Sequence, residues 1–348
     1  LSKEELAKYI SNLLIILISS FVLVTLIVFI FGGYIYSFLP VSRFYLLIGV
    51  VIALAQMLTL FNMELWRLEE RPLSFGTYQI TQTVLNFLLT MLLVIYYKGK
   101  WEGRVWAISI ATVVYGIFSI WFIWKRGYLK IVFNKQAIKD ALNFGLPLLP
   151  HALSIWIKTG IDRVFITKFY GTAENGLYAT GFQFGLVMSF LTLAFNNAYI
   201  PYLYKNLSRP DNESLKRKLV LFTYAYIGFM LVLSFVFTLG SNIVVDHFLQ
   251  ANYKMAKIYI GWAMLSQAFQ GMYLMVVCYF FYAKRTGFLA WITFGSSAVQ
   301  VFVSYYMVKN YGAIGAAYST TVMTFVTFLL VWLFSNKVYP MPWLLKKK

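Results

Sequence analysis

The sequence predicts an all-α integral membrane protein, with ten visible transmembrane helices in two bundles. Three observations predict it. Of the 348 residues 60% are hydrophobic and only 12% are charged, half the charged share of a soluble domain. Stretches of 17 or more residues without Asp, Glu, Lys or Arg occur ten times, at 9–42, 44–63, 72–97, 105–124, 141–157, 175–204, 219–245, 258–283, 286–308 and 310–336. A helix needs about 20 apolar residues to cross a bilayer. Finally, the basic excess, 30 Lys and Arg against 12 Asp and Glu, sits in the short gaps between these runs. That is the pattern of a membrane protein facing anionic lipid, not of a nucleic-acid-binding face. No nucleic acid is expected as a partner; membrane lipids are.

The first run is long enough to overshoot, and Gly32, Gly33 and Pro40 are expected to end its helix early. The fifth run is the shortest, and its helix is expected to continue through Lys158, Asp162 and Arg163. Residues 127–143 read as an amphipathic cytoplasmic linker with Asn134 as N-cap. Residues 205–218, with five basic residues and Pro210-Asp211-Asn212, form a second basic loop. Residues 241–257 read as an outer re-entrant or interfacial turn. Taking alternate sides from the N-terminus, one set of loops and ends carries 20 Lys and Arg and the other 8. The positive-inside rule then puts both chain ends in the cytoplasm.

Sliding the chain by 211–212 residues lays Lys3–Lys8 near Glu213–Lys218, Gln56 on Gln267, and Tyr97–Gly103 near Lys309–Gly315. In this register the second repeat starts near Phe144 and holds six spans. The first lacks counterparts to two of them, about 70 residues. Six crossings return the chain to the same side, so the repeats are parallel, a transporter design with the substrate site between halves. The expected organisation is an N-terminal bundle at 1–126, the linker at 127–143, and a C-terminal six-helix bundle with a basic tail at 144–348.

No segment has room for a folded extramembrane domain, and no nucleotide-binding, zincin or serine-hydrolase motif is present. A single cysteine, Cys278, and two histidines, His151 and His247, offer neither a disulfide frame nor a metal cluster. No cofactor, metal or covalent chemistry is expected. The residues that stand out are ionisable groups inside apolar runs, which are costly in lipid and usually line a polar pathway. Lys158 and Asp162 are spaced to pair on one helix face, with Arg163 about 100° further round. Lys158 and Arg163 suit a phosphate or pyrophosphate. Asp162 suits a base or a coupling ion, H+ or Na+. Counted from Phe144, Lys158 and Arg163 lie about 21 and 28 Å along the helix, so an Asp162–Arg163 headgroup pair is the competing reading. Amides come next: Gln56, Gln267 and Gln270, Gln79, Gln82 and Asn86, and Gln183, Asn196 and Asn197. They suit sugar hydroxyls or, more commonly, ties between helices.

Four stretches carry a family resemblance. Residues 133–153 (FNKQAIKDALNFGLPLLPHAL) resemble the segment opening the second half of oligosaccharide flippases. These are the polysaccharide-biosynthesis export proteins of the superfamily that includes lipid II flippases and multidrug-and-toxin extrusion transporters. Residues 160–166 (GIDRVFI) resemble its Asp-Arg segment, 174–181 (ENGLYATG) a helix start, and 310–319 (NYGAIGAAYS) the entry of its last helix. The resemblance implies a V-shaped exporter of two six-helix bundles, here with the first bundle N-terminally truncated. It further implies flipping of undecaprenyl-pyrophosphate-linked oligosaccharide across the cytoplasmic membrane by alternating access, alongside glycan assembly enzymes. A cation-coupled drug exporter of the same fold is the alternative, and a membrane glycan polymerase a more distant one.

Overall fold

The computed structural model describes residues 3–38, 41–130, 132–146, 149–208 and 213–344. Every regular element among them is helical: α1 Lys3–Phe38, α2 Arg43–Leu68, α3 Pro72–Thr90 running into a π-helical turn at Met91–Tyr96, α4 Lys100–Lys125, α5 Lys135–Gly145, α6 Leu149–Leu207, α7 Glu213–Phe248, a 3₁₀ turn at Ala251–Ala256, α8 Lys257–Tyr282, α9 Thr286–Tyr311 and α10 Ile314–Val338. Nine helices among the described residues are long and apolar enough to cross a membrane. In α6 the backbone leaves helical geometry at Gly171 (φ 87°, ψ 175°), where a residue with a Cβ would be strained. The halves 149–170 and 172–207, α6a and α6b below, are about 33 and 54 Å long, so each can cross alone. The apolar runs fall on these helices because lipid leaves the backbone only itself to bond to.

Two expectations are corrected. α1 does not stop at Gly32 or Gly33 but continues to Phe38; Pro40 lies outside the described residues. Each glycine costs a helix about 1 kcal/mol, less than baring backbone to lipid. Gly32 also has a use: a Cβ there would meet Arg43 Nε at 3.0 Å, and the Arg43 guanidinium lies 5.7 Å from the Phe29 ring centroid. Residues 241–248 are not re-entrant. They are the last turns of α7, and Asp246 is paired with Lys257 across the short 3₁₀ connection. Residues 209–212, the tip of the second basic loop, lie outside the described residues, as does the His151 side chain.

The chain divides into two compact units, Leu1–Pro147 and Leu148–Lys348. In unit 1, α2 and α4 pack closely because Gly116 faces Ala55: a Cβ at 116 would lie 2.8 Å from that of Ala55. Trp66, Tyr78, Tyr115 and Phe122 pack edge-on beside this contact. Arg126 and Tyr128, just past α4, close on Glu69 at the end of α2, at 3.2 and 2.8 Å. Burial and that bond hold the Tyr128 phenol above its ordinary pKa. The chain is then strapped along α1. Lys130 N donates to Ser11 Oγ (2.8 Å), Asn12 Nδ2 to Val132 O (2.9 Å), and Asn134 N to Asn12 Oδ1 (2.9 Å). Asn134 caps α5 as its sequence predicts, accepting from Gln136 N and Ala137 N.

In unit 2, α8 is the most enclosed helix, with α6, α7 and α10 packed around it and α9 lying against α6 and α10. Small residues allow the approach. A Cβ on Gly181 would fall 2.6 Å from Tyr259 Cβ, and one on Gly271 2.5 Å from a Thr192 methyl. Past α10 the chain folds back: Tyr224 Oη donates to Trp343 O at 2.6 Å, and the Trp343 ring meets Tyr224, Tyr279 and Trp332.

Candidate functional site

Ser154, Lys158 and Asp162 recur every fourth residue along α6a and so lie on one face of it. That face meets α9 through Ser297, Gln300 and Ser304, spaced by three and four, and α10 through Thr320 and Thr327, seven apart. The contacts interlock. Ser297 Oγ donates to Ser154 O (3.3 Å) and Gln300 Nε2 to Lys158 O (3.4 Å). Lys158 Nζ donates to Thr327 Oγ1 (3.3 Å). At the end of the seam three hydroxyls converge on Asp162: Ser304 on Oδ1, and Thr320 and Tyr178 on Oδ2, the last at 3.3 Å. Tyr178 comes from α6b, so four helical segments meet at this carboxylate.

Asp162 is 2% exposed. An ionised carboxylate at that burial needs hydrogen bonds or a counter-charge, and it has three hydroxyl donors. The expected Lys158–Asp162 ion pair does not form, because each side chain turns to hydroxyls on other helices. The Asp162–Arg163 headgroup pair does not form either. Arg163 is exposed, and Asp162 lies nine residues before the Gly171 turn, about 13 Å from it. The site is thus a buried, oxygen-rich seat for one carboxylate, with a half-buried ammonium one turn away. It can hold a proton or a hard cation at Asp162, and Lys158 can hold an anionic group that reaches it. No group of three or more His, Cys, Asp or Glu residues that could hold a metal occurs among the described residues.

The amide candidates separate. Asn196 is buried, and its Oδ1 faces Cys278 Sγ at 3.6 Å, a tie between α6b and α8. Its neighbour Asn197 and Gln183 are exposed, and Gln267 and Gln270 are half-buried on α8. None of these touches the Asp162 seat. In unit 1, Gln56 joins Gln79, Gln82 and Asn86 around a cavity of about 370 Å³ between α2, α3 and α4. Thr59, Thr83 and Thr112 complete its polar wall, and no charged residue lines it. Arg104 donates to Asn86 Oδ1 (3.1 Å) and bonds Thr90 beside it.

Sequence reading missed the seat's hydroxyls, Tyr178, Ser304 and Thr320, and the seam partners Ser297, Gln300 and Thr327. Ser and Thr are common in membrane helices and mostly bond their own backbone. The usable signal was the heptad-like spacing of 297, 300 and 304, matched to the fourfold spacing of 154, 158 and 162.

Residues 1–207 match the family model described as "Polysaccharide biosynthesis protein". Two Haemophilus influenzae proteins are similar to the chain. "Lsg locus putative protein 1" is 28% identical over 67% of this chain and 59% of its own length. An "Uncharacterized membrane protein" is 29% identical over 70% and 60%. The chain thus spans about three-fifths of the curated relatives it matches. Among solved structures, the inward-facing conformation of a multidrug resistance MATE family transporter of the MOP superfamily superposes with a TM-score of 0.79 at 15% identity, covering 96% of this chain and 81% of that one. At that identity the likeness shows a shared fold.

Proposed function

This chain belongs to the polysaccharide biosynthesis protein family, and we propose that it is a flippase moving undecaprenyl-pyrophosphate-linked oligosaccharide across the cytoplasmic membrane. It works by alternating access and makes or breaks no covalent bond. The observation that carries the reading is the α6a seam. A membrane protein places a buried carboxylate and a half-buried ammonium one turn apart in a spanning helix only at a cost that function must justify. Lys158 offers the charge that a pyrophosphate headgroup needs, while the glycan requires hydrogen-bonding groups in place of water. Asp162 takes the coupling ion, H+ or Na+. The 20-to-8 bias of basic residues supports cytoplasmic chain ends, which leaves the basic loops facing the enzymes that assemble the glycan.

A second reading, a cation-coupled drug exporter, is favoured by the same buried Asp162, since an acidic site inside the bundle suits a cationic cargo. One experiment separates the two. In a deletion strain carrying the complete gene or its Lys158→Ala and Asp162→Asn variants, lipid-linked oligosaccharide is located with a glycan probe that cannot cross the membrane. A flippase leaves completed units trapped on the cytoplasmic face. Normal surface glycan with new sensitivity to cationic dyes identifies the drug exporter. Units that reach the outer face without being lengthened identify a polymerase. Full transport by Lys158→Ala removes the assigned role of that lysine.

A further inference from the structure

Two tyrosine rings separate the Asp162 seat from a second carboxylate. Tyr178 Oη, which donates to Asp162, belongs to a ring that meets the Tyr259 ring edge-on, with centroids 5.5 Å apart. Tyr259 Oη in turn donates to Glu174. Glu174 stands in the first turn of α6b, three residues after the Gly171 break. It is half-buried, whereas Tyr178 and Tyr259 are only 3% and 1% exposed. Gly181 seats Tyr259 by leaving no Cβ in its way.

Two carboxylates, each capped by a phenol, are therefore joined through touching rings, one near the surface and one in the interior. The other acidic side chains described in unit 2 are paired with cations. Asp246 is held by Lys257, and Glu213 lies 3.7 Å from Arg217. Around Asp162 stand Tyr178 from α6b, Ser304 from α9 and Thr320 from α10, with Arg163 beside it and Lys158 one turn earlier. Tyr259 of α8 faces Glu174.

We propose that Glu174 is the entry carboxylate of unit 2 and that Tyr259 and Tyr178 pass a proton between it and Asp162. This rests on the reading that Asp162 takes the coupling ion, and it names that ion as a proton. Protonation of Glu174 removes the charge that strengthens its bond from Tyr259 and frees that O–H to rotate; the route requires the two phenol oxygens to approach to about 3 Å. One O–H bond then breaks at Glu174 and one forms at Asp162. Each tyrosine releases its own proton as it accepts another, so both end unchanged and no electron moves. The hydroxyls of Ser304 and Thr320 reorient as the carboxylate loses its charge.

The test needs no substrate. The full chain in lipid vesicles is followed by infrared difference spectroscopy after a pH jump, reading the carbonyl stretch of a protonated buried carboxyl. Asp162→Asn should abolish that band and so assign it. Glu174→Gln and Tyr259→Phe should delay its appearance by about tenfold or more while leaving its equilibrium midpoint in place. Glu174→Gln alters a half-exposed side chain, so it keeps the test valid even where Tyr259→Phe disturbs packing. Wild-type rates in both variants overturn the route and leave Asp162 as a proton site reached another way. A band that responds to sodium but not to pH overturns the route and makes Asp162 a sodium site. Absence of any band lost in Asp162→Asn overturns the ion-binding reading itself.

Discussion

Units 1 and 2 handle charge in opposite ways. Unit 1 keeps its tightest ionic cluster at helix ends, where Glu69 closes the α2 terminus and Arg126 and Tyr128 follow α4. The cavity between its spanning helices is lined by amides, hydroxyls and apolar side chains, with no charged residue among them. Unit 2 instead carries Lys158 and Asp162 into the middle of a spanning helix and surrounds them with hydroxyls from three other segments. The Arg126 cluster reads as a tie: its guanidinium bonds Glu69 and Asn62 and lies 5.0 Å from the Trp66 ring centroid. The Asp162 cluster is built instead from hydroxyls, with Ser304, Thr320 and Tyr178 all donating to one carboxylate. Charge at the helix ends of unit 1 thus reads as a tie, while the proposed transport role falls to charge inside a spanning helix of unit 2.

The comparison breaks or sharpens in four measurements of thermal stability in detergent. Asp162→Leu strands the hydroxyls of buried Tyr178 and Ser304 and half-buried Thr320 at about 1–3 kcal/mol each, so the full chain should lose roughly 4 kcal/mol and the largest share of its melting temperature. Gly181→Ala should cost about 2 kcal/mol by overpacking against Tyr259, with unit 1 unaffected in protease mapping. Arg126→Ala should cost about 2 kcal/mol, discounted because its pair is only partly buried, yet leave glycan export intact once the protein is folded. An export defect at native protein levels would erase the distinction between the units. Gln79→Ala should move stability by under about 0.5 kcal/mol. A large loss would mean that the amide cavity is a packed interface and not an open one.

Much of this was legible in the sequence. The apolar runs located the spanning helices, because a bilayer imposes length and composition directly. The N-cap at Asn134 follows from local chemistry that a window of a few residues contains. Partner identity did not follow. Lys158 and Asp162 are spaced for each other, but a rotamer choice and the approach of α9 and α10 send them to Thr327, Ser304 and Thr320. Gly32 and Gly33 failed as stop signals because glycine ends a helix reliably only where water waits to solvate the backbone. The Asn196 and Gln56 amides looked alike in sequence, and only the packing of α8 against α6b made one a tie and left the other on a cavity wall.

The hydroxyl shell of Asp162 carries one more consequence. Had arginine held this carboxylate, the shell would have a fixed polarity and would resist every change in the charge of its guest. A serine, a threonine and a tyrosine each carry a rotatable dipole, able to present hydrogen to an anion or oxygen to a cation or an acid proton. The shell can therefore hydrogen-bond the carboxyl whether it carries its proton or not, which a guanidinium could not do.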